Sequence, residues 1–151
     1  MTFIFKLSIA TMKRFCVIDG QGGGIGAVII KYLKEAYGET VELIGLGTNA
    51  VATAQMLKAG ANRGASGENA IVQTVRTADL ILGPIAITWA NAMLGEVTAG
   101  MAAAITSSPA PKILLPLTQE AVTLAGVVPE PLPHMVQRIV NEIIKEVLPD
   151  V

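Results

Sequence analysis

Between a short apolar run and an amphipathic stretch lies Asp19-Gly20-Gln21-Gly22-Gly23-Gly24-Ile25-Gly26, with five glycines in seven residues. A segment that poor in side chains, placed where a buried strand passes into a helix, leaves the backbone N–H groups of the helix N-terminus uncovered. Those groups and the positive end of the helix dipole favour an anion, most often a phosphate. The apolar run before it, Arg14-Phe-Cys-Val-Ile-Asp19, reads as a first strand. After it, Ile25, Val28, Ile29, Tyr32, Leu33 and Ala36 recur at helical spacing from Gly24 to Tyr37, with Lys31, Lys34 and Glu35 on the opposite side. Gly38 is placed to stop that helix.

The same alternation continues along the chain. Thr40–Leu46 reads as a second strand, and Thr48 or Asn49 can cap a helix over 50–59. Residues 60–67 read as a loop by composition. Ser66 is expected to cap a helix over 68–77. Asp79–Gly83 reads as a third strand, residues 88–105 as a helix rich in Ala, Met and Gly, and Lys112–Leu117 as a fourth strand. A fifth, short strand is expected within 121–128, and a last helix over 135–148 after the proline-rich 129–133. Alternating strands and helices predict a single-domain, doubly wound α/β fold over 12–149, Rossmann-like, with a mostly parallel sheet of four or five strands and helices on both faces. Both common strand orders remain open.

Composition supports this class. Of 151 residues, 52% are hydrophobic and 15% charged, which suits strands covered on both faces. So little surface charge predicts a homo-oligomer that buries part of the excess. A net charge of −1 without a basic run argues against a nucleic-acid partner. The lone Cys16, in an apolar strand, reads as a small buried hydrophobe; without a pairing partner it points to a reducing cytoplasm. The most apolar window, 80–94, is interrupted by Gly83-Pro84 and is too short to span a bilayer, so no membrane partner is expected. Lys6 interrupts the apolar residues 1–11, which are expected to form a loosely ordered extension.

Two registers of a nucleotide fingerprint fit the glycine segment. Gly22-x-Gly24-x-x-Ala27 matches the dinucleotide pattern, while Gly20-x-x-x-Gly24-Ile25-Gly26 resembles the first glycine motif of short-chain dehydrogenases. That resemblance stops at the loop. No Tyr-x-x-x-Lys occurs, and Gly45–Asn49, at the end of the second strand, holds neither an acid for NAD nor an arginine for NADP. A P-loop is absent as well.

Ligands of open α/β sheets bind beyond the carboxyl ends of the strands. The polar residues predicted at that pole are Asp19, Gln21, Thr48, Asn49, Thr88, Asn91, Gln119 and Glu120, joined by Arg63, Glu68 and Asn69 from the 62–69 loop. The expected ligand site comprises Gly20, Gln21, Gly22, Gly23, Gly24, Ile25 and Gly26, completed by Thr48, Asn49, Arg63, Asn69 and Thr88. Asp19 and Glu68 are the candidate general bases. Asp19 is equally suited to cap its own turn or to bind Mg²⁺ with Glu120. With one His and one Cys, no metal centre of nitrogen or sulfur ligands is expected. His134, remote from this ring, reads as a surface or interface residue. Trp89 and Met93–Met101 read as core or subunit interface.

The residues Asp19–Gly26, Asn49-Ala50, Gly67-Glu68-Asn69-Ala70 and Gly83-Pro84-Ile85 together resemble domain of unknown function 3842, a family of small bacterial proteins. The resemblance spans about residues 12–148, implies one compact domain and brings no catalytic residue with it. The function expected from the residues is binding of a small anionic ligand, a nucleotide or phosphorylated small molecule, at the glycine loop. A non-catalytic ligand sensor or subunit of a larger assembly is the first alternative. An NAD(P)-binding, oxidoreductase-like protein is the second.

Overall fold

Five strands form one parallel sheet in the order β3-β2-β1-β4-β5 in the computed structural model, which describes residues 12–151. The chain runs β1 (Lys13–Asp19), α1 (Gly24–Tyr37), β2 (Val41–Gly47), α2 (Ala50–Ala59), β3 (Arg63–Ser66), α3 (Glu68–Thr74), β4 (Leu80–Pro84), α4 (Ala99–Ser107), β5 (Lys112–Leu115), α5 (Leu132–Arg138) and α6 (Ile144–Val147). A π turn, Ile139–Ile143, joins the last two helices. The order resolves the alternative left open by the pattern: the chain winds outward from β1 to β3, returns to the centre, and continues outward through β4 and β5.

Alternation within the strands assigns each side chain to one of two cores. Phe15, Val17, Leu43, Leu80 and Leu82 pack with Ile29, Ile30 and Leu33 of α1 and with Val136, Val140 and Ile144 near the C-terminus. Cys16, Ile18, Ile44, Leu46 and Ile81 face the other way, onto Ile71, Val75, Met101 and Ile105. Helices therefore cover both faces, as the near-continuous apolar strands require. Cys16 is fully buried, and desolvation, the largest influence on it, pushes its thiol up to about 12. It is an inert core residue.

Three expectations are corrected. Residues 63–66 are a strand, not a loop, with Ile44 opposite Arg63 and Gly47 opposite Ser66. All four residues are exposed, so no apolar run announced it. Residues 89–98 are not helical: Asn91, Met93 and Leu94 have φ of 68°, 58° and 57°, and the α-helix begins only at Ala99, capped by Thr98. No strand forms in 121–128; the sheet ends at β5.

Smaller differences follow local rules. Strand β5 stops at Leu115 because Pro116 has no N–H for a ladder. Ser66 does not cap α3, since its hydroxyl pairs with that of Thr53 at 2.7 Å and Gly67 occupies the cap position. The last helical segment starts at Leu132, three residues early, with Pro133 in its first turn. Asn49 caps α2, accepting from the N–H of Ala52 at 2.9 Å, and Gly38 ends α1. The expectation for residues 1–11 lies outside the described residues.

Candidate functional site

At the carboxyl end of β1 the chain meets the point where strand order reverses, between β1 and β4, the usual position of a ligand crevice. A cavity of about 570 Å³ opens there, lined by Asp19 and Gly20–Ile25, by Pro84 and Ala86 after β4, by Met93 and Leu94, and by Leu117–Glu120 after β5.

The glycines of the loop divide by physical role. Gly23 has φ 73°, and a Cβ there would lie 2.7 Å from the Cα of Ala52, so it permits the close approach of the α1 and α2 N-termini. A Cβ on Gly26 would meet the Sδ of Met56 at 2.7 Å, and one on Gly20 the Sδ of Met93 at 2.5 Å. Gly22 and Gly24 differ: a Cβ on either would meet nothing within 4 Å, and neither has a positive φ. Both line the cavity, and their N–H groups have no partner among the described residues. The fold does not require glycine at these two positions.

Asp19 holds the loop. It is 3% exposed, its Oδ1 accepts from the N–H of Gly20 at 2.8 Å, and its Oδ2 accepts from the N–H of Gly26 at 2.7 Å. Burial raises its carboxyl above the ordinary value. The N–H groups of Gly26, Gly20 and Ile25 oppose that rise, and the negative charge of Glu96 adds to it. Of the readings open from sequence, this geometry is the turn cap. Glu120 likewise serves the backbone, its Oε1 accepting from the N–H of Met93 at 2.7 Å. No group of three or more His, Cys, Asp or Glu among the described residues could hold a metal ion.

The remaining predicted residues are dispersed. Thr48 and Asn49 lie beside the loop without lining the cavity. The Arg63 guanidinium pairs with Glu42, which also takes Arg14 Nε at 3.1 Å, near the amino-terminal starts of β1, β2 and β3. Glu68 accepts from the Thr98 hydroxyl at the start of α4. Thr88 donates to the carbonyl of Ile85 in its own 3₁₀ turn, and Asn69 is exposed. Of the expected site, residues 20–25 converge on the cavity.

Sequence reasoning missed Glu96. Its Oε1 accepts from the N–H of Gln21 at 2.8 Å, from the Thr48 hydroxyl at 2.7 Å and from Asn49 Nδ2 at 2.7 Å. Burial works to raise its carboxyl, but these three donors outweigh it and hold the group below its ordinary value. One signal was available: Glu96 is the only charged residue from Leu80 to Pro111, in a stretch whose composition imitates a buried helix.

The family model described as Domain of unknown function (DUF3842) matches residues 14–148. The chain belongs to that family. The match covers every strand and helix of the DUF3842 fold except the first residue of β1, and the glycine loop, Glu96 and Glu120 all lie within it. No curated protein matches the chain. No helix among the described residues of this DUF3842 member is long and apolar enough to cross a membrane.

Proposed function

We propose that this DUF3842 protein binds a nucleotide or phosphorylated small molecule in the crevice between the loops after β1, β4 and β5. The observation that carries the reading is the pair Gly22 and Gly24: glycine where the fold leaves room for a side chain, with unpartnered N–H groups on a cavity wall. A phosphate seated there satisfies those donors and the positive end of α1. The site works in a reducing cytoplasm, where a lone buried thiol needs no partner.

Binding without catalysis fits this crevice better than chemistry does. Both oxygens of Asp19 accept from backbone N–H groups, and Glu68, the other candidate base, bonds the Thr98 hydroxyl away from the cavity lining, so neither is placed as a base in the crevice. The protein is then a ligand sensor or a subunit that reports a phosphorylated metabolite. It assembles as a homo-oligomer, and light scattering that returns a monomer removes that part of the reading.

Thermal unfolding with AMP, glucose 6-phosphate and inorganic phosphate tests the site. At least one ligand at about a hundred times its Kd should stabilise the protein by about 2.7 kcal/mol. Gly24→Val should abolish the shift. If all three leave Tm unchanged, the reading fails.

A further inference from the structure

Residues 89–97 form a strap that lies over the start of the glycine loop, and its charged residue does not face the cavity. The strap turns back on itself through Asn91, Met93, Leu94 and Gly95, all with positive φ, and is closed by the N–H of Asn91 on the carbonyl of Val97 at 2.6 Å. Non-glycine residues in that region are strained and persist only where surrounding contacts hold them. Two carboxylates do so here: Glu120 bonds the N–H of Met93, and Glu96 reaches across to the loops after β1 and β2.

We infer that Glu96 is a specificity-determining residue: it closes the β2 side of the crevice, so the ligand is a compact phosphomonoester with an uncharged body held on the β4–β5 side, and not a dinucleotide. The inference rests on the reading of the crevice as an anion site and narrows its ligand class.

Four observations carry it. A dinucleotide on a sheet of this order crosses the switch point and lays one ribose against the carboxyl end of β2. The donors at that end, Thr48 Oγ1 and Asn49 Nδ2, are both bonded to Glu96 Oε1, as is the N–H of Gln21. No room remains between the loops either, because a Cβ on Gly20 would lie 2.5 Å from both Met93 Sδ and Thr48 Oγ1 and 3.1 Å from Glu96 Oε1. The cavity lining includes two carboxylates and no Lys, Arg or His, so backbone N–H groups and one helix dipole must balance the ligand's charge. That is suited to a single phosphate. Pro84, Ala86, Met93, Leu94 and Leu117 then offer an apolar wall to the rest of the molecule.

The experiment is an NMR titration of the ¹⁵N-labelled full chain with phenyl phosphate and with NAD. In the parent protein, phenyl phosphate should move the amides of Gly22 and Gly24, and NAD should bind at least about tenfold more weakly. Glu96→Ala should tighten NAD by about tenfold, with new shifts at Thr48 and Asn49, and leave phenyl phosphate within about threefold. Should that variant lose its folded spectrum, Glu96→Gln keeps the acceptor oxygen and removes the charge, and a smaller gain for NAD is expected. NAD binding to the parent as tightly as phenyl phosphate overturns the inference, and so does a folded Glu96 variant with no gain for NAD. If neither probe moves Gly22 or Gly24 in any protein, the anion site itself is lost, and the inference with it.

Discussion

The two sides of the glycine loop have opposite character. Toward β2, every approach is filled: Glu96 takes three donors, Met93 packs over Gly20, and Gly23 lies against the backbone of Ala52. Toward β4 and β5, the same loop borders a cavity of about 570 Å³, with Gly22 and Gly24 facing no protein atom. One run of glycines thus answers two demands. Some residues lack a side chain because the protein needs the space, and others stand where the fold leaves room for one, at the site proposed for the ligand.

The sharpest way to break this contrast is to substitute on the packed side. Gly23→Ala places a Cβ against backbone and forces a residue into the left-handed region, so a loss of about 2–4 kcal/mol is expected in urea unfolding. A loss below about 0.5 kcal/mol would mean that α1 and α2 can separate freely. Asp19→Asn comes next. Its amide nitrogen must face an N–H that the carboxylate formerly accepted, and leaving one buried donor unsatisfied costs about 1–3 kcal/mol.

Acid provides a smaller and reversible effect. The Glu96 carboxyl is held below its ordinary 4.5, so its contribution is present above that value and is lost as pH falls through the lowered one. Asp19 has the opposite sign: its carboxyl is raised above 3.8, so its contribution is present below that value and lost as pH rises through the raised one. Replacing Glu96 by Gln should therefore reduce the loss of stability between pH 5 and the lowest pH at which the protein stays folded. Unfolding midpoints measured across that range, with an unchanged pH slope in the variant, would refute the role given to the three donors. The smallest effect on stability belongs to the open side. Gly22→Ala should change it by less than about 0.5 kcal/mol while weakening phosphate binding, which separates ligand demand from fold demand in one variant.

Much of this was legible in local signals. The boundaries of α1, the stop at Gly38 and a cap at Thr48 or Asn49 follow from periodicity and capping chemistry within a few residues of each other; the structure selects Asn49. The convergence of residues 20–25 on a cavity was legible for the same reason, since a strand–glycine–helix junction needs no distant partner to expose its N–H groups. Strand β3 was not, because Arg63-Gly-Ala-Ser66 is a strand only by virtue of pairing with β2. The strap was hidden by its composition: Trp89-Ala-Asn-Ala-Met-Leu has the residues of a helix, while its backbone is set by bonds to Val97 and Glu120.

Sequence by itself determined the α/β class, the cover of helices on both faces and the bare N-terminus of the first helix, because each depends on residues close together along the chain. Tertiary structure decided strand order, the exposed edge strand and the fate of one carboxylate. Glu96 lies 75 positions from Gln21, and no local rule states that a single oxygen will meet three donors delivered by two other loops. Such a contact exists only after the sheet has brought the ends of β1, β2 and β4 to one pole.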